Sequence, residues 1–303
     1  MYKIKIFLLK ATMLLALTSV TTFGSPNSDP MVYIYPKPHS ATDTRRQEVI
    51  ALILEALNRT EAKYGKYILK PSSDYINELR VIDLLKKSEN QLVTVAWLDT
   101  TKTLEEDLLP VYIPIQKGIV GYRIFLIRKE DENKFSKVKS IEDLRKYTNG
   151  LGHTWVNRDI MELNNLPYIS SPTYEGLFHM LNSKRFDYYS RGINEAFPEL
   201  EARKNLLPEL IVEKKLALHY TKPSYLFTSK QNIKLNNRLY EGLSILLKDG
   251  TFDRIFCEVN GDAIRKTNLK ERTIIKLKSP FLFKTTPIER KELWFSENNQ
   301  VCM

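Results

Sequence analysis

Short apolar runs that end in a proline or a polar loop alternate along this chain with longer stretches that are apolar at every third or fourth residue. This alternation constrains the fold more than any other feature. Val32-Tyr33-Ile34-Tyr35 reads as a strand stopped by Pro36 and Pro38, and after Asp43 the residues Val49, Ile50, Ile53, Leu54 and Leu57 share one face of a helix. The pattern recurs: 67–69 reads as a strand, 76–87 as a helix, 92–96 as a fully buried strand and 111–115 as another. Strand, loop and helix in that order build an α/β lobe, expected to have a mostly parallel sheet.

Gly118 and Gly121 bracket a short apolar passage before a new strand at 122–127, which places a crossing between lobes there. The next portion holds a helix capped by Ser140 with Asp143 three residues later, a turn at Asn149-Gly150-Leu151-Gly152, helices near 158–163 and 174–181, and a strand-like run over 210–218. A strand at 225–228 then leads into an amphipathic helix over 235–247, ended by Asp249-Gly250. The fold class expected is therefore α/β with two lobes, each a sheet flanked by helices, joined by hinge strands. Residues 25–117 and 225–303, the second piece including a basic, aromatic tail, form lobe 1, and 118–224 form lobe 2. Hinge bending is expected near 118–121 and 224–228.

Lys3, Lys5 and Lys10 precede an apolar run from Met13 to Val20 that ends in small residues near Gly24, the pattern of a secretory signal peptide over 1–24. The run is about half the ~20 residues needed to span a bilayer. Cleavage there removes three lysines and no acid, lowering the net charge from +10 to +7, which weakens the case for nucleic acid as a partner. The expected location is the periplasm, a compartment that permits a Cys257–Cys302 bridge between the only two cysteines. The alternative for Cys257, flanked by Ile255, Phe256 and Val259, is a buried thiol.

The run Leu108-Leu109-Pro110-Val111-Tyr112-Ile113-Pro114-Ile115 leading to Gly118 and Tyr122-Arg123, the segment Ser140-Ile141-Glu142-Asp143-Leu144, and the closing Leu246-Leu247-Lys248-Asp249-Gly250-Thr251-Phe252-Asp253-Arg254-Ile255 occur in order. In these the chain, over about 32–259, resembles the bacterial extracellular solute-binding proteins of family 3, the polar amino-acid-binding type with the type II periplasmic binding fold. The resemblance implies capture of a small molecule in a cleft between two lobes that close by a hinge, with delivery to an ABC-type permease as the usual task. It departs from the family at the ligand clamp. Thr103-Leu104-Glu105-Glu106 stands where these proteins carry T-x-E-R, and Gly192 falls where an aspartate holds the α-ammonium. An ordinary α-amino acid ligand is therefore not implied.

In open α/β sheets ligands meet the loops beyond the carboxyl ends of the strands. That rule selects Tyr35 and His39 after the first strand, Ser72 after the second, and Trp97, Asp99, Thr100 and Thr101 after the third. Arg123 and Arg191 are candidates for anion contacts from the second lobe, the alternative for each being a salt bridge. Trp155 and Tyr189 are candidates to wall the cleft, the alternative being core packing. His39, His153, His179 and His219 lie far apart, without metal-ligand spacing, and no nucleophile elbow or phosphate-loop lysine is present. A dispersed Ser/His/Asp set stays open, since its members need not be neighbours in sequence. The expected function is thus a non-enzymatic binder of a small polar ligand, an anionic one included, without cofactor or nucleic acid and with a membrane permease as partner. The alternative keeps the fold and presents a ligand state or fixed surface to a membrane sensor.

Overall fold

The computed structural model describes residues 29–38, 46–87, 92–153, 155–298 and 302; the leader expected at 1–24 and His39 lie outside them. The first lobe opens with β1 (Met31–Tyr35), α1 (Gln47–Arg59), α2 (Glu61–Tyr64), β2 (Tyr67–Pro71), α3 (Glu78–Lys86), β3 (Val95–Asp99), α4 (Lys102–Asp107) and β4 (Leu109–Val111). The second contains β5 (Tyr122–Arg128), α5 (Glu132–Phe135), α6 (Ile141–Leu144), β6 (Asn149–Gly152), α7 (Asn157–Leu163), β7 (Tyr168–Ser171), α8 (Tyr174–Asn182), β8 (Tyr188–Gly192), α9 (Ile193–Glu201), β9 (Leu210–Val212) and β10 (Leu216–His219). The chain returns through β11 (Ser224–Thr228), α10 (Ile233–Lys248) and α11 (Thr251–Thr267) to a tail with β12 (Thr273–Lys276).

Alternation within the strands decides which core each side chain joins. On β11, Leu226 packs with α1 and α10, whereas Tyr225 and Phe227 pack with α3. On β5, Ile124 and Leu126 face α8 and α9, whereas Phe125 and Ile127 enter the opposite core with Phe135 and Tyr188. The strands therefore have two buried faces, and they read as continuous apolar runs for that reason.

The first lobe is less parallel than its sequence pattern predicts. β1 and β2 pair in parallel, but β3 and β4 flank β11 antiparallel, because β11 arrives from the far lobe rather than through a helical crossover. The strand expected at 111–115 is β4 instead, and the next residues run into the crossing. Asn149-Gly150-Leu151-Gly152 is not a turn but the buried strand β6, parallel to β7 and β8. Its glycines leave room for rings: a Cβ on Gly150 would lie 2.2 Å from Phe186 and one on Gly152 2.4 Å from Trp155.

The return between the lobes occupies residues 220–223, not 224–228, since all of β11 lies in the first lobe's sheet. It runs beside the outward passage: Tyr220 donates to the Gly121 carbonyl at 3.1 Å, and Ile115 donates to the Ser224 carbonyl at 3.0 Å. The tail, expected with lobe 1, adds β12 to the seven-stranded sheet of the second lobe, where Ile275 is buried beside Leu216 and Leu218. α11 lies over both lobes, with Phe252 and Ile255 in the first core and Phe256 and Ile264 in the second. Cys257 on this helix forms a disulfide with Cys302. Among the described residues, no helix is long and apolar enough to cross a membrane.

Candidate functional site

The carboxyl end of β1, the first half of β3 and the amino-terminal half of α1 enclose a half-open pocket of about 20 Å³, room for about one water molecule. Tyr35, Pro36, Arg46, Val49, Ile53 and Trp97 are among its lining residues. Period-two alternation puts Val95, Trp97 and Asp99 on one face of β3, so the strand delivers an apolar group, an indole and a carboxylate in sequence toward the lobe's edge. The Trp97 indole N–H is buried and has no partner among the described residues, leaving a donor open at the pocket wall.

Asp99 ends this row at the crossing. Its carboxylate binds Lys222 Nζ at 2.5 Å and accepts from the Ser224 hydroxyl at 2.5 Å. Glu78, at the start of α3, has its carboxyl pushed up by burial and by the negative charge of Asp99, against the pull of Lys222 and Arg46. Glu78, Asp99, Lys222 and Arg46 thus act on one another beside the pocket, of whose lining only Arg46 is a part. The remaining first-lobe candidates serve the scaffold. Ser72 Oγ accepts from the Lys37 amide and donates to the Asp74 carbonyl, tying the ends of β1 and β2 together. Thr101 caps α4 through the Leu104 amide, and buried Thr100 donates its hydroxyl to Glu105.

The second lobe brings the other candidates together but closes them on one another. Arg191 forms a two-pronged pair with Glu199 at 2.7 and 2.5 Å, lies 3.3 Å from Glu195, and is flanked by the rings of Trp155 and Tyr189 with centroids 4.9 and 5.1 Å away. Burial works against its charge, yet Glu195 and Glu199 hold the guanidinium more firmly protonated than usual. Arg123 donates to the Ser190 carbonyl and also lies 3.3 Å from Glu195. In this arrangement both arginines are taken by carboxylates rather than offered to an anion. Tyr189 is fully buried, its hydroxyl without a partner among the described residues, and the partly buried Trp155 lies over Gly152.

Three residues that sequence reasoning passed over complete the site. Lys222 sits between Tyr220 and Pro223 on the return crossing and joins the two walls, ion-paired with Asp99 on one side and acting on Glu195 on the other. Glu195 caps α9 by accepting from the Gly192 amide at 2.8 Å; burial alone would raise its carboxyl, but Arg191, Arg123, that amide and Lys222 bring it down to about 2. The signal for Glu195 was its place three residues beyond a helix-starting glycine. Glu78 gave no signal beyond its position in the first turn of a helix. Glu105, where the family's clamp motif stands, accepts from Thr100, Tyr112 and Thr285 and so holds the tail.

No protein-family model matches the sequence, and no curated protein matches it. Solved structures do. A structure from work on glutathione import through GshT and the cystine ABC importer of Streptococcus mutans superposes with a TM-score of 0.53 at 13% identity, covering 77% of this chain and 95% of that one. An ancestral arginine-binding protein bound to arginine gives 0.50 at 14% identity over 77% and 98%, and a histidine kinase sensor domain similar to periplasmic binding proteins gives 0.50 at 15% over 76% and 96%. These neighbours are consistent with the resemblance read from the sequence, and the chain has the two-lobed α/β fold of the periplasmic binding proteins.

Proposed function

We propose that this protein is an extracytoplasmic binding protein that takes a small, overall uncharged or zwitterionic polar ligand at the first lobe's pocket and the adjoining crossing. The observation that carries the reading is the Trp97 indole N–H, buried and without an acceptor, on the same strand face as Asp99 and beside an apolar pocket. A buried donor left unpaired costs about 1–3 kcal/mol, which an accepting ligand atom recovers. As it stands the pocket beside Tyr35, Val49 and Ile53, about 20 Å³, has room for one small group of the ligand, so capture requires it to widen toward Asp99 and Lys222, which lie outside its lining. The prior claim of Glu195 and Glu199 on the two arginines favours such a ligand over a simple anion. The import neighbour supports delivery to an ABC-type permease as the role.

A second role is favoured by the sensor-domain neighbour and by the tail that binds both lobes: presentation of a ligand state to a membrane sensor. Both roles begin with ligand capture. A thermal-shift screen of the protein against amino acids, small peptides, organic acids and sugars tests it. A ligand at one hundred times its Kd adds ~2.7 kcal/mol of stability. A shift with a neutral or zwitterionic compound that is lost in Trp97→Phe and Asp99→Asn fits the proposal; a library without any stabilising compound, or shifts confined to anions, contradicts it.

A further inference from the structure

We propose that the tail is a strap that fixes the angle between the two lobes, latched at its end by the Cys257–Cys302 bridge. In a two-lobed protein joined by two crossings, opening and closing is absorbed by a few backbone positions within those crossings. Here the tail holds those positions. Lys117 and Gly118 both have positive φ, 49° and 67°, the local bend of the outward crossing. The Trp294 ring covers Gly118 so closely that a Cβ there would lie 2.7 Å from it. The Phe295 amide donates to the Lys117 carbonyl at 2.7 Å, and buried Lys117 Nζ donates to the Glu292 carbonyl at 2.6 Å and to Asp253 of α11 at 2.7 Å.

The return crossing is held as well, because Ser279 donates its hydroxyl to the Thr221 carbonyl at 2.6 Å. Between these points the tail passes from lobe to lobe. Phe281 is buried in the second lobe's core, Thr285 donates to Glu105 of the first lobe at 2.7 Å, Leu293 is buried in the first core and Phe295 in the second. Rotating the lobes therefore has to break packed contacts in both, and packed interfaces switch between discrete arrangements rather than stretch. The bridge to α11, a helix anchored in both cores, keeps the tail's end from leaving.

The inference is independent of what occupies the pocket, and its test needs no ligand. Amide hydrogen exchange of the full chain is compared with that of Trp294→Ala, Cys302→Ser and Thr285→Val, alongside small-angle scattering. The strap predicts amides of 115–121 and 220–224 exchanging about tenfold faster or more in Trp294→Ala and Cys302→Ser, and less so in Thr285→Val, with a larger radius of gyration and unchanged protection in β5 and β8. Crossing amides as slow in all three variants as in the parent chain overturn it. So does equal acceleration of the crossings and of β5 and β8, which makes the tail a general part of the fold rather than a restraint on the hinge.

Discussion

Each lobe carries a glutamate whose carboxyl its surroundings shift, and the two behave in opposite ways. Glu48, on α1 of the first lobe, is 1% exposed and among the described residues has only the amides of Gln116 and Asn260 as partners; burial lifts its carboxyl from the ordinary 4.5 to about 7, against those two hydrogen bonds. Glu195, on α9 of the second, keeps a third of its side chain open yet is brought to about 2 by Arg191 and Arg123. The same side chain is pushed up where burial brings no cation and held down where two guanidiniums sit against it. The two arginines of the second lobe are thus answered by its own carboxylates, although that lobe also keeps buried groups without a partner among the described residues, Arg123 Nε and the Tyr189 hydroxyl included, as the first keeps the Trp97 indole N–H and one Glu48 oxygen.

Removing a partner from the closed network has the largest expected effect. Glu199→Ala strands Arg191 in its aromatic surroundings, and a buried guanidinium without its two-pronged acceptor costs about 3–5 kcal/mol, read as a lower midpoint in urea denaturation. Next comes the contrast in pH. The Glu48 carboxyl is raised in the folded protein, so its contribution to stability is complete below 4.5 and is lost as pH rises through about 7. The Glu195 carboxyl is lowered, so its contribution is present above 4.5 and is lost as pH falls through about 2. Glu48→Gln therefore stabilises the protein by about 3 kcal/mol at pH 8 and has little effect at pH 4, measured by urea denaturation at the two pH values. An equal effect at both would remove the contrast between the lobes. Asp99→Asn has a smaller effect on stability than Glu199→Ala, because Asp99 itself is a third exposed although its partner Lys222 is only 11% exposed, while it weakens capture in the thermal-shift screen.

Much of the fold was legible because each element carried a local signal. The stripe of α1, the Ser140 cap with its Asp143 amide and the apolar run of β5 fell where the pattern placed them. β6 was misread because Asn149-Gly150-Leu151-Gly152 has turn composition, and only the rings of Phe186 and Trp155, distant in sequence, require those glycines in a strand. Of the proposed site, Tyr35, Trp97 and Asp99 were singled out by the rule that ligands meet strand ends, but with the third strand expected at 92–96; it runs over Val95–Asp99, so Trp97 and Asp99 lie within β3 rather than in the loop after it. Arg123 and Arg191 were found but not their occupancy, because Glu195 and Glu199 reach them through the packing of α9 against β8. Lys222 was out of reach for the same kind of reason: its pairing with Asp99 spans 123 residues and exists only once the crossings lie side by side.

The three tryptophans happen to sample the three parts of the account: Trp97 in the first lobe's pocket, Trp155 beneath Arg191 in the second, Trp294 on the strap. Fluorine NMR of the 5-fluorotryptophan-labelled protein, with signals assigned by Trp→Phe variants and the thermal-shift compounds added, therefore tests the central claim most directly. The account predicts that a stabilising compound moves the Trp97 signal and leaves those of Trp155 and Trp294 in place. Movement of the Trp155 signal with Trp97 unmoved would put recognition in the second lobe and contradict it.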